Sequence, residues 1–286
     1  MFTHHPPTML SPLVLIGLVA LSTAVISCTS SPQPKNPYVI PDDDLTGIPG
    51  PQREVRALKI LGRAQSAVIA GNAPEAMRLY KEALSIYASL NDHSAQAAIH
   101  NDLALLASNT GDYDAARELL EQALTLAAKG EEPTIEAEAH YNLGDVLYAQ
   151  GDLTAAESTF TTTIERARTL NNAELLGLAL NGRGNARRRQ NNIVPAIDDY
   201  TAALVQWNIL KRDDLAAVTL MNIGYGHVLR GEPDPAAQAF QEAIRRLEGA
   251  KPSKRAVLVP HLQELVRLVR RDPNAARERV LDILRK

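Results

Sequence analysis

From residue 53 onward, apolar and small residues fall at intervals of four and then three, and the whole pattern returns every 40 residues. Ala76, Ala116, Ala156, Ala196, Ala236 and Ala276 are each followed four residues later by a larger apolar side chain: Tyr80, Leu120, Phe160, Tyr200, Phe240 and Val280. Three residues further stand Ala83, Ala123, Thr163, Ala203, Ala243 and Ile283. That spacing marks one face of a helix. A second helix of the same logic precedes it, with landmarks such as His140, Leu143, Gly144 and Leu147 or Leu180, Arg183, Gly184 and Arg187. The third landmark (Ala64, Ala104, Gly144, Gly184, Gly224) never exceeds a methyl group, which predicts a close crossing of the two helices. Gly71, Gly111, Gly151, Asn191 and Gly231 punctuate the turn between them. Helix A of each unit is predicted to end just before these residues, and helix B to run to near 90, 130, 170, 210 and 249. A helical period between 20 and 50 residues signals a solenoid.

The runs Gly111-Asp112-Tyr113, Gly151-Asp152-Leu153 and Asn142-Leu143-Gly144, with the small and aromatic landmarks that follow, resemble the tetratricopeptide repeat family over roughly residues 53 to 286. The resemblance implies an all-α fold, a right-handed superhelical solenoid of helix-turn-helix repeats. The family unit is about 34 residues, so a 40-residue unit implies helices nearly a turn longer. Arg63 and Arg183 stand where an apolar residue is usual. Five repeats are expected over 53–250. After Ala243 the pattern degrades, with Pro252 and Pro260 predicted to cut the sixth A helix to 260–271 and to place Gln263 and Glu264 at its contact positions. Residues 251–286 then read as a degenerate sixth repeat acting as a C-terminal cap.

The N-terminus departs from this pattern. Residues 1–34 contain no Lys, Arg, Asp or Glu, and Leu13 to Ile26 is a largely apolar run of 14. A bilayer span needs about 20 residues, so the run suits the hydrophobic region of a signal peptide over 1–27. Val25-Ile26-Ser27-Cys28 resembles the bacterial lipobox, in which the cysteine is acylated and becomes the first mature residue. Cys28 is the lone cysteine, so no disulfide forms within the chain. An uncleaved anchor or ordinary cleavage stays open beside acylation. Residues 28–52 carry six prolines and Asp42-Asp43-Asp44, which predicts a flexible tether. In the resemblance, Thr29 after the cysteine is compatible with an outer-membrane location facing the periplasm of a bacterial envelope.

Composition changes the picture only at the other end. Net charge is −3, yet residues 251–286 hold ten Lys or Arg against four Asp or Glu, leaving 20 against 29, or −9, in the rest. The simplest reading of this basic end is a solvated capping surface, with an anionic partner or membrane as the other.

No phosphate loop, Gly-x-Ser-x-Gly, His-Glu-x-x-His or catalytic cysteine arrangement is present, so no enzyme, cofactor or nucleic-acid function is expected. His100 and His140 occupy equivalent positions, but these are packing landmarks filled elsewhere by Ile60, Leu180 and Leu220, and no metal site is expected. The candidate binding residues are polar side chains on the A helices: Asn101, Tyr141, Asn142, Asp145, Tyr148, Asn181, Asn185, Arg188, Arg189, Asn222 and Tyr225. In the resemblance, A helices line the concave surface, where Asn pairs with the backbone of an extended peptide. Arg188 and Arg189 suit a carboxylate. A solvated groove with a charged face explains the same residues without a ligand. The expected function is a non-enzymatic, membrane-tethered scaffold that binds an extended segment or helix of another envelope protein. Such lipoproteins serve in pilus secretin assembly, outer-membrane protein insertion or cell-wall enzyme recruitment. The alternative is a structural or regulatory homo-oligomer without a separate ligand.

Overall fold

The computed structural model describes residues 49–249 and 252–285, and among these every regular element is helical. The helices are α1 (Gly50–Ile69), α2 (Ala73–Ser89), α3 (His93–Asn109), α4 (Tyr113–Lys129), α5 (Pro133–Gln150) and α6 (Leu153–Thr169). They continue as α7 (Ala173–Arg189), α8 (Ile193–Leu210), α9 (Asp213–Arg230), α10 (Pro233–Arg246), α11 (Pro252–Arg271) and α12 (Pro273–Arg285), with a 3-10 turn at Leu247–Gly249. Odd-numbered helices are the A helices of the sequence pattern and even-numbered ones the B helices.

Two compact units form. The first comprises the chain up to Leu90 and Asn109–Gly111. Its described core is the α1–α2 hairpin, with Ala57, Ile60 and Ala64 of α1 and Ala76, Leu79, Tyr80 and Ala83 of α2 buried. The second comprises Asn91–Ser108 and Asp112–Lys286. There α3 and α4 share an apolar core, from α4 onward each helix packs on the next, and α5 also touches α7, so successive hairpins stack as a solenoid.

The starts of α3, α5, α7 and α9 at residues 93, 133, 173 and 213 reproduce the 40-residue period. Helices α3 to α9 run 17 or 18 residues. Each boundary has a local cause. Gly71, Gly111, Gly151 and Gly231 take positive φ, and Asn191 takes φ 65° in the same place. A left-handed residue closes the A helix there, and Gly or Asn bears it at least cost. Asn72, Asp112 and Asp152 then cap the B helices by accepting from the backbone N–H three residues on. The turns between units repeat the device with Asn91, Glu131, Asn171 and Lys211 at positive φ.

The predicted close crossing is present where glycine is used. A Cβ on Gly144 would stand 2.7 Å from the Phe160 ring, one on Gly184 2.6 Å from Tyr200, and one on Gly224 2.3 Å from Phe240. Phe160 also meets the next A helix, since a Cβ on Gly182 would lie 2.5 Å from the same ring. One aromatic thus joins its own hairpin to the following one. Full burial of such a ring contributes about 1.5 to 3 kcal/mol.

The last hairpin corrects two expectations. Helix α11 begins at Pro252, where a first-turn proline lacks only an N–H that would be unpaired anyway, and it carries Pro260 inside. Its contact face is Leu262, Leu265, Val266 and Val269, whereas Gln263 and Glu264 are exposed. Apolar burial, not the repeat register, sets the rotation of this helix. At the other end α1 starts at Gly50, inside the stretch expected as tether, because Pro51 sits in its first turn. Among the described residues no helix is long and apolar enough to cross a membrane.

Candidate functional site

The candidate residues fall on α3, α5, α7 and α9, and the second unit brings most of them into two kinds of environment. One kind is internal. Asn142 Nδ2 donates to Asn101 Oδ1 at 2.8 Å, and both side chains are buried. This pair ties α5 to α3 and is not a free peptide clamp. Asn222 is buried on α9. Asn181 Nδ2 donates to Thr219 Oγ1 at 2.9 Å, an oxygen that also accepts from Trp207 Nε1 at 3.0 Å, while Asn181 Oδ1 is buried without a partner.

The other kind gathers around α7. Gly184 leaves room for the Tyr200 ring to cross α7, and its hydroxyl donates to Asn185 Oδ1 at 2.9 Å. Arg188 Nε donates to the same hydroxyl at 3.2 Å. Tyr148 and Tyr225 also lie within electrostatic reach of Arg188. Arg189 lies over the Tyr148 ring, 4.7 Å from its centroid, and donates to the Tyr148 carbonyl at 2.9 Å. Tyr225 OH lies 3.1 Å from His261 Nε2 of α11 and its ring meets Phe240 edge-on. On α5, Tyr141 packs on Phe160 and hydrogen-bonds Asp145. Burial pushes the Asp145 carboxyl up to about 7, against the Tyr141 hydroxyl, which holds it down.

The arginines of α7 divide sharply. Arg183 forks onto Asp199, with Nη2 to Oδ1 at 2.6 Å and Nε to Oδ2 at 3.0 Å. Arg187 bridges Asp199 at 2.9 Å and Glu157 at 2.8 Å. Arg188 and Arg189 pair with no carboxylate among the described residues. A half-buried guanidinium held by hydroxyls and aromatic faces keeps donors for an anionic or carbonyl group. Of the residues that build this cluster, Tyr200, Thr219, Trp207 and His261 were not among the candidates. A signal existed for Tyr200, since a hydroxyl at a landmark filled by Phe160 and Phe240 needs a polar partner.

Burial lowers the pKa of His100 and His140, favouring neutral imidazoles, and His100 Nδ1 is buried without a hydrogen-bond partner. Among the described residues no group of three or more His, Cys, Asp or Glu is placed to hold a metal ion. Cys28, the expected signal peptide and the tether up to residue 48 lie outside the described residues.

Stacked helix pairs that repeat every 40 residues define a helical-repeat protein. Tetratricopeptide repeat profiles match residues 56–129 and 101–171, so tetratricopeptide repeats, generally a non-catalytic protein-interaction fold, are identified over residues 56–171. Among solved structures, aspartyl phosphate phosphatase F from Bacillus subtilis is similar at TM-score 0.67 and 15% identity, over 82% of this chain and 62% of that one. A Rap protein complexed with competence and sporulation factor gives 0.64 and 17%, over 85% and 66%. BtubC (BKLC) from P. vanneervenii gives 0.60 and 19%, over 71% and 94%. These likenesses concern the fold, and the chain spans less than two thirds of the length of the first two. No curated protein matches it.

Proposed function

We propose that this chain is a non-enzymatic scaffold, held at a bacterial envelope membrane through acylated Cys28, that binds an extended segment or helix of another envelope protein along the A-helix face of α5, α7 and α9. The observation that carries the reading is Arg188. In one helix, Arg183 and Arg187 are neutralised by Asp199 and Glu157, whereas Arg188 is held on the Tyr200 hydroxyl with no acid beside it. A desolvated cation without a counter-ion favours a ligand that brings one, such as a carboxylate. Tyr148, Tyr225 and Asn185 supply stacking surface and further hydrogen bonds around it. Pilus secretin assembly, outer-membrane protein insertion and cell-wall enzyme recruitment are the envelope settings in which this reading places the partner.

The test is a crosslinking pull-down from the native envelope with full-length protein, a Cys28→Ser version and an Asn181→Ala/Arg188→Ala double variant. One envelope protein should be captured by the wild type and lost with the double variant, and Cys28→Ser should release the chain from the membrane fraction. Val194, Val205 and Ile209, exposed on α8, favour a second reading, self-association. Recovery of only copies of the chain supports that reading instead.

A further inference from the structure

We infer that the exposed face of α1 is a docking surface for one amphipathic helix of another protein, seated as the B helix of a repeat that would precede the first. Val55, Leu58, Gly62 and Ile69 fall on one side of α1, at spacings of three, four and seven. The three apolar side chains are 52%, 56% and 87% exposed, and a Cβ on Gly62 would meet no heavy atom within 4 Å. The opposite side of α1 is already buried through Ala57, Ile60 and Ala64.

The molecule itself displays what covers this face elsewhere. The residues that stand at these positions one period apart in the later A helices include Leu175 and Leu215, which are buried, and Leu178 and Val218, which are half-buried. Gly182, the counterpart of Gly62 on α7, receives the Phe160 ring from the preceding B helix. One turn further, Gly226 of α9 receives Ile197 of its own preceding B helix, where an added Cβ would stand 2.6 Å away. Helix α1 keeps the small notch and the apolar stripe, yet both are uncovered among the described residues. Scattered exposed apolar residues need no explanation, but Val55, Leu58 and Gly62, which repeat an internal packing face of the later helices, do, and Ile69 extends that stripe by two turns.

Charge defines the occupant further. Lys59 and Arg63 border the stripe; Lys59 pairs with no acid among the described residues, and Arg63 only approaches Glu75 at 4.0 Å. The fitting helix carries a bulky apolar residue over Gly62, apolar contacts to Val55, Leu58 and Ile69, and acids beside Lys59 and Arg63. A second copy fits poorly. Its last described B helix, α12, has Arg277 where α8 has Ile197 and would set that arginine against Lys59 and Arg63.

A labelled peptide of residues 152–170, the helix that covers Gly182, serves as the probe in place of the partner. Titrated into the full chain and followed by fluorescence anisotropy, it should bind saturably. Leu58→Glu and Ile69→Glu should each weaken binding by about tenfold, the equivalent of one lost aliphatic contact. Both positions are exposed, so unchanged melting of the two variants separates lost docking from lost folding. Arg188→Met should leave this binding unchanged, which keeps the result distinct from the A-helix-face reading above. Absence of saturable binding, or binding indifferent to both substitutions, overturns the proposal. So does peptide binding that emerges only on deletion of residues 1–48, which makes the chain's own N-terminal segment the occupant. Dimerisation abolished by Leu58→Glu, or binding to anionic vesicles in place of the peptide, overturns it equally.

Discussion

Two pairs of arginines lie within two turns of each other on α7 and meet opposite surroundings. Arg183 and Arg187 fork onto Asp199 and Glu157 between the helix layers, with Asp199 buried. Arg188 rests on the Tyr200 hydroxyl and Arg189 on the Tyr148 ring and carbonyl, with no acid among the described residues. The difference separates arginines that hold the array together from those left without a counter-ion, which the proposed function assigns to a ligand. A run of like charges in the sequence conceals this, because one residue of helical rotation decides which neighbours a guanidinium meets.

The largest test removes the acid. Asp199→Ala leaves Arg183 and Arg187 partly buried without their counter-ion and should cost about 3 to 5 kcal/mol in urea unfolding, as breaking a buried pair does. If stability barely changes, the ion pair is not structural and the contrast collapses. Next in size is the packing that positions both pairs. Ala156 is fully buried on the helix whose Phe160 meets α5 and α7, so Ala156→Leu should overpack it and cost about 1 to 3 kcal/mol. An unchanged melting curve counts against the close crossing.

A smaller effect should appear on α5. Burial raises Asp145 to about 7 from an ordinary 3.8, so the folded state holds its proton more tightly than the unfolded chain. The linkage therefore runs toward lower stability as pH rises between those values, with the full penalty present above about 7. Asp145→Asn should remove that slope and stabilise the protein at pH 8 on the order of 1 to 2 kcal/mol, less than the whole shift because Tyr141 loses a charged acceptor. A variant that is no more stable at pH 8 than at pH 5, relative to wild type, rules this out. Smallest is Arg188→Met, which should change stability by no more than about 0.5 kcal/mol while abolishing partner capture.

Much of the fold was legible because its devices are local. Positive-φ turns called for Gly or Asn at 71, 111, 151, 191 and 231, and the larger apolar residues four positions after the landmark alanines, aromatic at 80, 160, 200 and 240, called for a glycine or alanine opposite. The sixth hairpin was less legible. Its burial stripe is Leu262, Leu265, Val266 and Val269, because the register positions hold polar Gln263 and Glu264 and apolar burial sets the rotation instead. The site was legible only by helix layer. That Asn101 and Asn142 satisfy each other, or that Tyr200 reaches through the space above Gly184, depends on neighbours 41 and 16 residues away in the chain, which no single-helix pattern records. Asp199 left one trace, an acid on the B helix following an Arg183 that replaces an apolar landmark.

Photo-crosslinking from two positions tests the central claim most directly. A photoreactive residue placed at Arg189 reports on the A-helix face, and one placed at Val205 reports on the exposed side of α8, with the protein expressed in its native envelope. The account predicts one partner protein crosslinked from position 189, lost on Arg188→Met, and none from position 205. Equal crosslinking from both positions, or a product at 189 that survives Arg188→Met, would contradict it.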